Sequence, residues 1–394
     1  MVYPILTIAP GKEMHLQNRH HAIFRNAVSR FPQATDGAIV EVRSSTGEFL
    51  CYATYNAQAY ICARAIAFAE GDPMAQMRAT IERSVKLRSL FFGTNEPETT
   101  AYRLVNAEGD GLPGLVVDRY DDVLVIQCTT LGIDLLKDWV ADLLMELTGL
   151  TKVFEKSTGT ARKKEGLPAA EGWLRGSGAT RIPIVERGLK FLIELAGSQK
   201  TGLFLDQREM RSLVRQLAKD RHVLDCCSYV GGFSMSALLG GAASADAVDY
   251  DAAALTRSRE HVRENNLPDD KFTAFTEDVF LFLRRRPSPR PYDFIILDPP
   301  AFAKRSSDIE QARRAYTDLN RLAMEMLPSG SLLLTCSCSF HVDPQLFQTI
   351  VFHAARQAKR SLRILHRHRQ AFDHPVNLFH PEVDYLKSLL LWVE

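Results

Sequence analysis

The stretch Arg221–Phe233, which reads RHVLDCCSYVGGF, decides the fold of the second half of this 394-residue chain. It opens with an apolar run that ends in an acid, Asp225, and the pair Gly231–Gly232 follows six residues later. A further apolar run, Phe233–Leu239, continues from the glycines. This order predicts a strand, a tight loop and a helix, whose first N–H groups can face a ligand at the carboxyl end of the strand.

The predicted loop differs from the known glycine-rich phosphate loops. Cys227 and Tyr229 stand where the pattern G-x-G-x-x-G has its first two glycines, so the loop is not the dinucleotide fingerprint. It also lacks the lysine of a Walker motif, which disfavours a nucleoside triphosphate as ligand. Taken alone, the stretch is equally compatible with a plain turn between a strand and a helix.

The composition is that of an ordinary globular protein, with 46% hydrophobic and 24% charged residues. Lys+Arg 48 against Asp+Glu 47 leaves almost no net charge, so any nucleic-acid binding must come from local basic patches. Seven cysteines without a C-x-x-C pair argue against a disulfide framework and a zinc ribbon, and favour a reducing compartment. The sequence shows neither a signal-peptide pattern nor a long apolar run. We therefore expect a cytoplasmic protein with no membrane span and no metal.

Shifts in pattern predict three domains, which cover residues 1–72, 73–178 and 179–394. The first is β-rich, and its predicted strands are Pro4–Ala9, Gly37–Arg43 and Phe49–Thr54. Its basic and aromatic segment Arg19–Phe24 is either a surface turn or a nucleic-acid contact.

The middle region combines a helix with a compact α+β insert. The stretch Pro73–Phe92 carries apolar residues at helical spacing. Its basic residues are expected on a solvated face, and they are Arg78, Arg83, Lys86 and Arg88. Residues 93–178 show a β-β-β-α-β order, in which Arg162–Gly166 is expected to be a mobile basic loop.

From about residue 180, apolar strands alternate with helices, which predicts an α/β fold with a mostly parallel sheet covered on both faces. The predicted strands are Val223–Cys226, Ala247–Asp249, Thr273–Thr276, Phe294–Leu297, Leu332–Cys336, Leu362–Leu365 and Leu389–Val393. The last two lack a clear helix between them, so we expect an antiparallel pair at one edge of the sheet.

Chemically useful side chains stand at the carboxyl ends of these predicted strands. Asp225, Asp249, Asp278 and Asp298 end or follow the first four strands, and Cys338 follows the fifth. Because the carboxyl ends of parallel strands share one edge, the five groups should line one ligand site. Asp249 is suited to accept hydrogen bonds from ribose hydroxyls, which indicates an adenosine-bearing ligand. Asp278 taken by itself is also a fair candidate for a helix N-cap.

The loop Asp298–Phe302 and the thiol of Cys338 supply the substrate side of the predicted site. Two prolines stiffen this loop, so that the carboxylate of Asp298 can hold a planar, amino-bearing group. Phe302 either stacks on a base or packs the loop. The thiolate of Cys338 is a nucleophile, provided that the site lowers its pKa from the ordinary thiol value of ~8.5. Cys336 and Cys338 lack partners at metal spacing, so a metal site is not expected.

Five segments together resemble a class I S-adenosylmethionine-dependent methyltransferase, with the bacterial 23S rRNA cytosine-5 methyltransferases that carry an N-terminal PUA domain as the nearest family. The segments are KTGLFLDQR (Lys200–Arg208), LDCCSYVGGF (Leu224–Phe233), LDPPAFAK (Leu297–Lys304), LLTCSCS (Leu333–Ser339) and RQAFDHPV (Arg369–Val376). Tyr102–Tyr120 and Arg162–Leu167 are similar to the central domain of the family, and residues 1–72 resemble its PUA module more loosely. The resemblance covers nearly the whole chain.

The resemblance implies that the chain uses S-adenosylmethionine to form 5-methylcytosine in 23S rRNA. Cys338 would attack a cytosine held by Asp298, and both would be catalytic. The implied cofactor-binding residues are Asp206, Gln207, Arg208, Asp225, Ser228, Tyr229, Gly231, Gly232, Phe233, Asp249, Asp278 and Asp298. In this set, Asp225 and its loop would hold the methionine part, Asp249 the ribose and Asp278 the adenine amino group. The implied contacts to the substrate base are Pro299, Pro300, Phe302 and Lys304.

One position departs from the better known RNA cytosine-5 enzymes, which carry a cysteine directly after the two prolines. That position is Ala301 here, so the second cysteine that helps to release the product is absent. Another base must then take the proton from carbon 5. A predicted basic loop contains Arg284, Arg285, Arg286 and Arg290. It either contacts RNA phosphates or is an ordinary solvated loop.

Two other functions stay open at this point. An exocyclic-amine RNA methyltransferase, for example one acting on guanine N2, would use the same cofactor edge without a covalent step. An RNA-binding protein with a degenerate methyltransferase fold is the second, although the intact acids argue against it. A protein-glutamine methyltransferase is disfavoured, because its Asn-Pro-Pro-Tyr motif is replaced by Asp298–Ala301. The oligomeric state also stays open, with a homodimer as one arrangement.

Overall fold

The computed structural model describes residues 2–93, 98–196, 202–285 and 291–394, which group into two compact units. The first unit comprises Met1–Gly188, Ile193–Leu205 and Phe372–Val383. The second unit comprises Leu189–Leu192, Asp206–Ala371 and Asp384–Glu394. The domain boundaries drawn from the sequence at residues 72 and 178 stay predictions.

The first unit begins with a six-stranded sheet in the order β2-β6-β5-β4-β1-β3. Its elements are β1 Ile5–Ile8, the single-turn helix α1 Met14–Gln17, β2 Ala22–Phe24, β3 Val28–Arg30, β4 Ile39–Arg43, β5 Phe49–Tyr55 and β6 Ile61–Ala67. The strand β6 was not predicted from the sequence, because three of its seven residues are alanine, which has a weak preference for strands. The segment Arg19–Phe24 is more than a surface turn, because its last three residues form β2 with Ile23 buried.

A second sheet of the first unit has five strands in the order β11-β10-β9-β8-β7. The elements of this part are α2 Pro73–Arg88, β7 Ala101–Asn106, β8 Leu115–Tyr120, β9 Val123–Cys128, α3 Leu131–Thr148, β10 Lys152–Ser157, α4 Ala161–Lys164 and β11 Ala170–Arg175. They confirm the predicted β-β-β-α-β order and add β11 at the edge of the sheet. The strands β12 Arg181–Glu186 and β13 Leu189–Glu194 form a separate two-stranded sheet.

Two arginines that the sequence places in solvent are buried in the first unit. Arg88 is 1% exposed, and its guanidinium donates to both carboxylate oxygens of Asp110 at 2.6 and 2.7 Å and to the carbonyl of Asp373 at 2.8 Å. Arg162 lies in α4 and donates to the carboxylate of Asp134 at 2.7 Å. The expected solvated face of α2 and the expected mobile basic loop are therefore wrong at these positions, because each charge has a buried acceptor.

The second unit contains a seven-stranded sheet in the order β16-β15-β14-β17-β18-β20-β19. Its elements are α5 Arg208–Leu217, β14 His222–Cys226, α6 Gly232–Leu239, β15 Ser244–Asp249, α7 Ala252–Glu264, β16 Phe272–Thr276, α8 Val279–Arg285, β17 Phe294–Leu297, α9 Ile309–Met326, β18 Ser331–Ser337, α10 Pro344–Ala358, β19 Leu362–His368 and β20 Lys387–Val393. The first five strands in this order are parallel, and β20 runs antiparallel to both of its neighbours. The predicted antiparallel edge pair and the Rossmann-like fold are thus confirmed.

Helices cover both faces of this sheet. Leu224 and Cys226 of β14 belong to an apolar cluster with α8, α9 and α10, whereas the intervening Asp225 accepts hydrogen bonds from Ser234 of α6. The chain proceeds from β14 to β15 on one side and later places β17 on the other side of β14. Such a reversal of strand order opens a crevice at the carboxyl ends of the two strands, where α/β proteins bind their ligands.

Two predictions from composition can be compared with the structure. All seven cysteines lie in the described ranges and none forms a disulfide, as predicted. Over those same ranges, no helix has both the length and the apolar character needed to cross a bilayer.

Replacing Arg88 with Met should lower the free energy of unfolding by about 3–5 kcal/mol, because Asp110 would keep a buried charge without its partner. Urea-induced unfolding followed by circular dichroism measures the loss. The matched control is Arg78→Met on the same helix, where the side chain is 41% exposed and its solvent-screened ion pairs should contribute little to stability. Equal losses in the two variants would contradict the assignment of Arg88 as a buried ion pair.

Candidate functional site

The loop between β14 and α6 is held in place by the neighbouring strand β15. The N–H groups of Cys227 and Ser228 donate to the carbonyl of Val248 at 2.9 and 3.2 Å. Cys227, Tyr229 and Gly231 have φ angles of +60°, +52° and +78°. Left-handed conformations are strained for the two residues that carry side chains. The strained backbone turns the loop sharply at the carboxyl end of β14, where the sequence predicts a ligand.

Asp225 is a buried carboxylate at the start of this loop. The N–H and the hydroxyl of Ser234 donate to its Oδ2 at 3.0 and 2.7 Å, whereas its Oδ1 has no hydrogen-bond partner among the described residues. The hydroxyl of Ser228 is likewise buried without a partner in the described part of the chain. Burial raises the pKa of Asp225 to about 6, although the bonds from Ser234 oppose the shift. The site therefore offers a buried acceptor to a ligand that carries a donor or a positive charge.

Asp249 and Asp278 lie at the ends of the next two strands, as predicted. The carboxylate of Asp249 accepts the N–H of Tyr229 at 2.8 Å and the N–H of Asp251 at 2.9 Å, one on each oxygen. Each oxygen keeps a second lone pair for a ligand hydroxyl. Asp278 accepts the N–H groups of Phe280 and Leu281 at 2.9 and 3.1 Å, so it has the helix N-cap role that the sequence also allowed.

Residues that precede α5 in the second unit approach the loop after β17. The amide of Gln207 donates to the carboxylate of Asp298 at 3.0 Å. The hydroxyl of Tyr385 donates to the carboxylate of Asp206, and Asp206 accepts the N–H of Ala371 through its carbonyl at 3.0 Å. Arg208 is fully buried at the first position of α5.

Cys338 lies against the loop that contains Asp298. Its sulfur is 3.8 Å from the carbonyl oxygen of Pro299, and the side chain is half-buried. The next residue, Ser339, strengthens the contact, because its hydroxyl accepts the N–H of Ala303 at 3.1 Å and lies 2.9 Å from the hydroxyl of Tyr316. These bonds hold the end of β18 and the loop after β17 together.

Three other thiols lie on the strands and the loop around this site. Burial raises the pKa of Cys226, Cys227 and Cys336, and nearby Asp carboxylates raise the pKa values of Cys227 and Cys336 further. A thiol whose pKa is raised stays protonated and is a poor nucleophile.

The remaining residues predicted to contact the substrate either pack against the protein or lie exposed at its surface. The ring centroid of Phe302 lies 4.7 Å from that of Tyr316 and 6.3 Å from that of Phe280, so the packing alternative describes its present contacts. Lys304 is exposed. Arg284 and Arg285 lie in the last turn of α8, where they are exposed and form ion pairs with Asp318 and Glu277. Arg286 and Arg290 lie outside the described residues.

One group of side chains within the described ranges has the spacing of a metal site, and it belongs to the first unit. Its members are His20, His380 and Glu382, with 3.5 Å between Nε2 of His20 and a carboxylate oxygen of Glu382. However, Nδ1 of His20 accepts the N–H of Ala22 at 3.2 Å. Neutral imidazole then carries its hydrogen on Nε2, which suits a hydrogen bond to the carboxylate and not a metal.

Sequence reasoning missed three residues that contact the predicted site. Tyr316 from α9 contacts Ser339, Tyr385 contacts Asp206, and Lys387 of β20 donates to the carbonyl of Ser339 at 2.7 Å. Tyr316 and Lys387 contact a hydroxyl and a backbone carbonyl of Ser339. Such contacts leave no recognisable motif in the sequence. A charged residue at the start of β20, whose last five residues are apolar, was the one available signal for Lys387.

The comparison with protein families covers both ends of the chain. A model described as S-adenosylmethionine-dependent methyltransferase matches residues 161–391, and a model described as PUA-like domain matches residues 6–68. The chain belongs to the S-adenosylmethionine-dependent methyltransferases. The second unit is therefore a methyltransferase domain, and S-adenosylmethionine is the cofactor.

Curated relatives of this methyltransferase match it over nearly its full length. A protein of Klebsiella pneumoniae subsp. pneumoniae named ribosomal RNA large subunit methyltransferase I is 35% identical over 392 residues, which cover 98% of each chain. A protein of the same name from Shewanella frigidimarina is 37% identical over 398 residues, again with 98% of each chain covered.

A solved structure shares the fold of this methyltransferase. It is SMU.776, described as a candidate methyltransferase in complex with S-adenosylhomocysteine, with a TM-score of 0.85 and 23% identity. The alignment covers 99% of this chain and 100% of the other chain. At this identity the likeness supports the fold, which agrees with the predicted PUA-like and Rossmann-like domains.

Replacing Gly231 with Ala should weaken S-adenosylmethionine binding at least tenfold, measured by calorimetry. The φ angle of +78° disfavours any side chain, and the new Cβ would lie 2.9 Å from Cβ of Ser258, so the loop must move. The matched control is Gly241→Ala, which has a φ angle of +86° but whose nearest neighbour would be the Lys219 side chain at 3.8 Å. Both variants should lose about 1 kcal/mol of stability from strain. Equal affinities in the two variants would contradict the assignment of the loop.

The raised pKa of Asp225 predicts a pH-dependent stability. Between the unfolded pKa of ~3.9 and the folded value of about 6, the folded state binds the additional proton, so stability falls as pH rises through this range. Relative to Asp225→Asn, the wild type should lose roughly 2–3 kcal/mol between pH 4 and pH 6.

The difference in the free energy of unfolding between wild type and Asp225→Asn is measured by urea unfolding. Trp392 in β20 is the fluorescent probe, and Trp139 and Trp173 are replaced by Phe in both proteins so that it is the sole Trp. The variant Ser234→Ala should extend the loss of stability to higher pH, because the bonds from Ser234 lower the pKa of Asp225. A difference that stays constant from pH 4 to pH 7 would show that Asp225 does not titrate in this range.

Proposed function

We propose that this protein is a ribosomal RNA methyltransferase that forms 5-methylcytosine in 23S rRNA through a covalent adduct between Cys338 and carbon 6 of the base. The RNA class is supported by the name shared by the relatives, which align over 98% of their length. The observation that carries the base and the mechanism is the 3.8 Å contact between the Cys338 thiol and the carbonyl of Pro299, directly after Asp298.

The cofactor assignment follows from the edge of the sheet described above. We infer that Asp225 and the loop Ser228–Phe233 hold the methionine part, with Asp206–Arg208 closing over it. Oδ1 of Asp225 and the hydroxyl of Ser228 support this, since they are buried acceptors without a partner among the described residues and would suit a ligand ammonium group. Asp249 would accept ribose hydroxyls with its remaining lone pairs, and Asp278 would accept the adenine amino group with the oxygen that does not cap α8.

The chemistry explains why the site needs a thiol. Carbon 5 of cytosine is a poor nucleophile, and addition of the Cys338 thiolate to carbon 6 turns it into an enamine-like carbon. When bound, S-adenosylmethionine supplies an electrophilic methyl group on a sulfonium, which is transferred to carbon 5 with S-adenosylhomocysteine as product. A base then removes the proton from carbon 5, and the electron pair of that bond expels the thiolate from carbon 6. The target base must be unpaired or leave its stack to reach the thiol.

Asp298 would bind the cytosine in this proposal. Its carboxylate already accepts the amide of Gln207 at 3.0 Å, which would orient it toward N3 and N4 of the base. Pro299 and Pro300 lack N–H groups that would compete for this carboxylate. Ala301 supplies no second thiol, so the proton from carbon 5 goes to another base.

The PUA-like domain would contact the RNA away from the methylated base. This part of the proposal rests on the matched family model at residues 6–68 and on exposed basic side chains such as Arg19 and Arg30. The cytoplasmic location predicted from the composition is consistent with a ribosomal substrate.

The substrate for this test is 23S rRNA from a strain that lacks the gene for this protein. Replacing Cys338 with Ala should abolish methyl transfer to it, because burial and nearby carboxylates keep the thiols of Cys227 and Cys336 protonated. Cofactor binding should stay unchanged. Radiolabelled methyl transfer and bisulfite sequencing measure the product, and Cys227→Ala is the matched control that should keep activity. An active Cys338→Ala enzyme would favour the exocyclic-amine reaction. Absence of any S-adenosylmethionine binding to the wild type would favour a non-catalytic RNA-binding protein.

A further inference from the structure

Lys387 is a buried lysine next to the proposed nucleophile. It is the first residue of β20 and pairs in register with Ser337, the residue before Cys338. Its side chain is 4% exposed, and its Nζ donates to the carbonyl of Ser339, the residue after Cys338, at 2.7 Å. A second bond of 2.7 Å reaches the carbonyl of Tyr385. The ammonium group is thus fixed beside the backbone that carries the thiol.

The ammonium group of Lys387 is not paired with a carboxylate among the described residues. Both of its hydrogen-bond acceptors are neutral carbonyls, and no carboxylate lies within 4.0 Å of Nζ among the residues that the structure describes. Burial of an ammonium group without an anion is costly. Accordingly, burial lowers the pKa of Lys387 to about 8, and the largest opposing contribution comes from Cys338.

We propose that Lys387 is a positioning residue whose ammonium group stabilises the thiolate of Cys338. The negative charge that the reaction needs on sulfur is the anion that the lysine lacks. The two groups would stabilise each other in their charged forms, as in cysteine enzymes whose thiolate is paired with a nearby cation. The inference rests on the proposed function only in taking Cys338 as the nucleophile.

Other groups around the pair contribute less directly. Facing Cys338 are the hydroxyl of Tyr316 from α9 and, in the loop that follows β17, the carbonyl of Pro299, the residue next to Asp298. The carbonyl disfavours a thiolate, and a nearby cation would offset this effect.

On the side of Lys387, the nearby charges already have partners. Asp384 pairs with Arg369 at 2.9 Å, and Asp343 caps α10 by accepting the N–H of Leu346 at 2.8 Å. Asp384 and Asp343 raise the pKa of Lys387, but each does so by less than Cys338. Arg369 lowers this pKa, but by less than burial does. Both nearby carboxylates thus have other partners, whereas the thiolate of Cys338 would have the ammonium group of Lys387.

The test measures the ionisation of Cys338 without RNA or turnover. The rate of alkylation by iodoacetamide is followed against pH, and the modified cysteine is identified by peptide mass spectrometry. In the wild type, the apparent pKa of Cys338 should lie below the ordinary thiol value of ~8.5. In Lys387→Met it should rise by at least ~1, and the rate at pH 7 should fall about tenfold. Lys387→Arg keeps the charge and should restore most of the rate.

Two controls separate this role from a structural one. Lys156→Met removes another buried lysine, which belongs to the first unit and also donates to a carbonyl, and it should leave the Cys338 profile unchanged. S-adenosylmethionine binding by calorimetry shows that each variant is folded. If no Lys387 variant folds, the reciprocal measurement replaces it, because Cys338→Ser should then lower the pKa of Lys387, read from the pH dependence of its dinitrophenylation.

The pairing of Lys387 with Cys338 and the covalent mechanism can be refuted independently of each other. An unchanged alkylation profile in folded Lys387→Met, or a wild-type Cys338 that titrates at or above ~8.5, would overturn the pairing even if Cys338 is essential for methyl transfer. Conversely, an active Cys338→Ala enzyme would overturn the covalent mechanism and leave the measured pairing of the two charges intact.

Discussion

The parallel register of β14, β17 and β18 is the constraint on which the proposed chemistry depends. Cys226 pairs with Leu297, and Leu297 pairs with Thr335, so the three strands end at the same edge. The residues that follow these pairs supply the loop after β14, the carboxylate of Asp298 and, three residues beyond Thr335, the thiol of Cys338. Chain segments far apart in sequence thus meet because backbone hydrogen bonds align them, and the side-chain contacts only refine the arrangement.

The same edge concentrates polar groups that are partly satisfied by the protein itself. Asp225 and Asp249 each accept two donors from their own surroundings, and Asp298 accepts the amide of Gln207. Each carboxylate is therefore oriented by the protein, and Asp225 and Asp249 keep lone pairs for a ligand. The raised pKa of Asp225 and the left-handed backbone at Tyr229 both cost stability. Such local costs are typical of sites that are organised before the ligand binds.

The sequence predicted the second unit better than the first for a physical reason. In a parallel sheet, apolar strands and amphipathic helices alternate, and this pattern gave β17 and α10 at their observed bounds. The strand β12 contains a proline and β6 is rich in alanine, so local preference did not favour them. The acids at the strand ends were predictable because each follows an apolar run. The burial of Arg88 and the position of Lys387 were not, since their partners are set by distant backbone.

The hydrogen bond from Arg88 to the carbonyl of Asp373 joins two residues that are 285 positions apart in the chain. During synthesis at ~5–20 residues per second, the arginine emerges from the ribosome many seconds before this acceptor exists. Until then, helix α2 can complete its ion pair with Asp110 and must leave one guanidinium donor to water. The first unit therefore reaches its final set of bonds only after Asp373 has been synthesised. A nascent chain stalled before residue 373 would keep the ion pair between Arg88 and Asp110 but lack the backbone acceptor of the remaining donor.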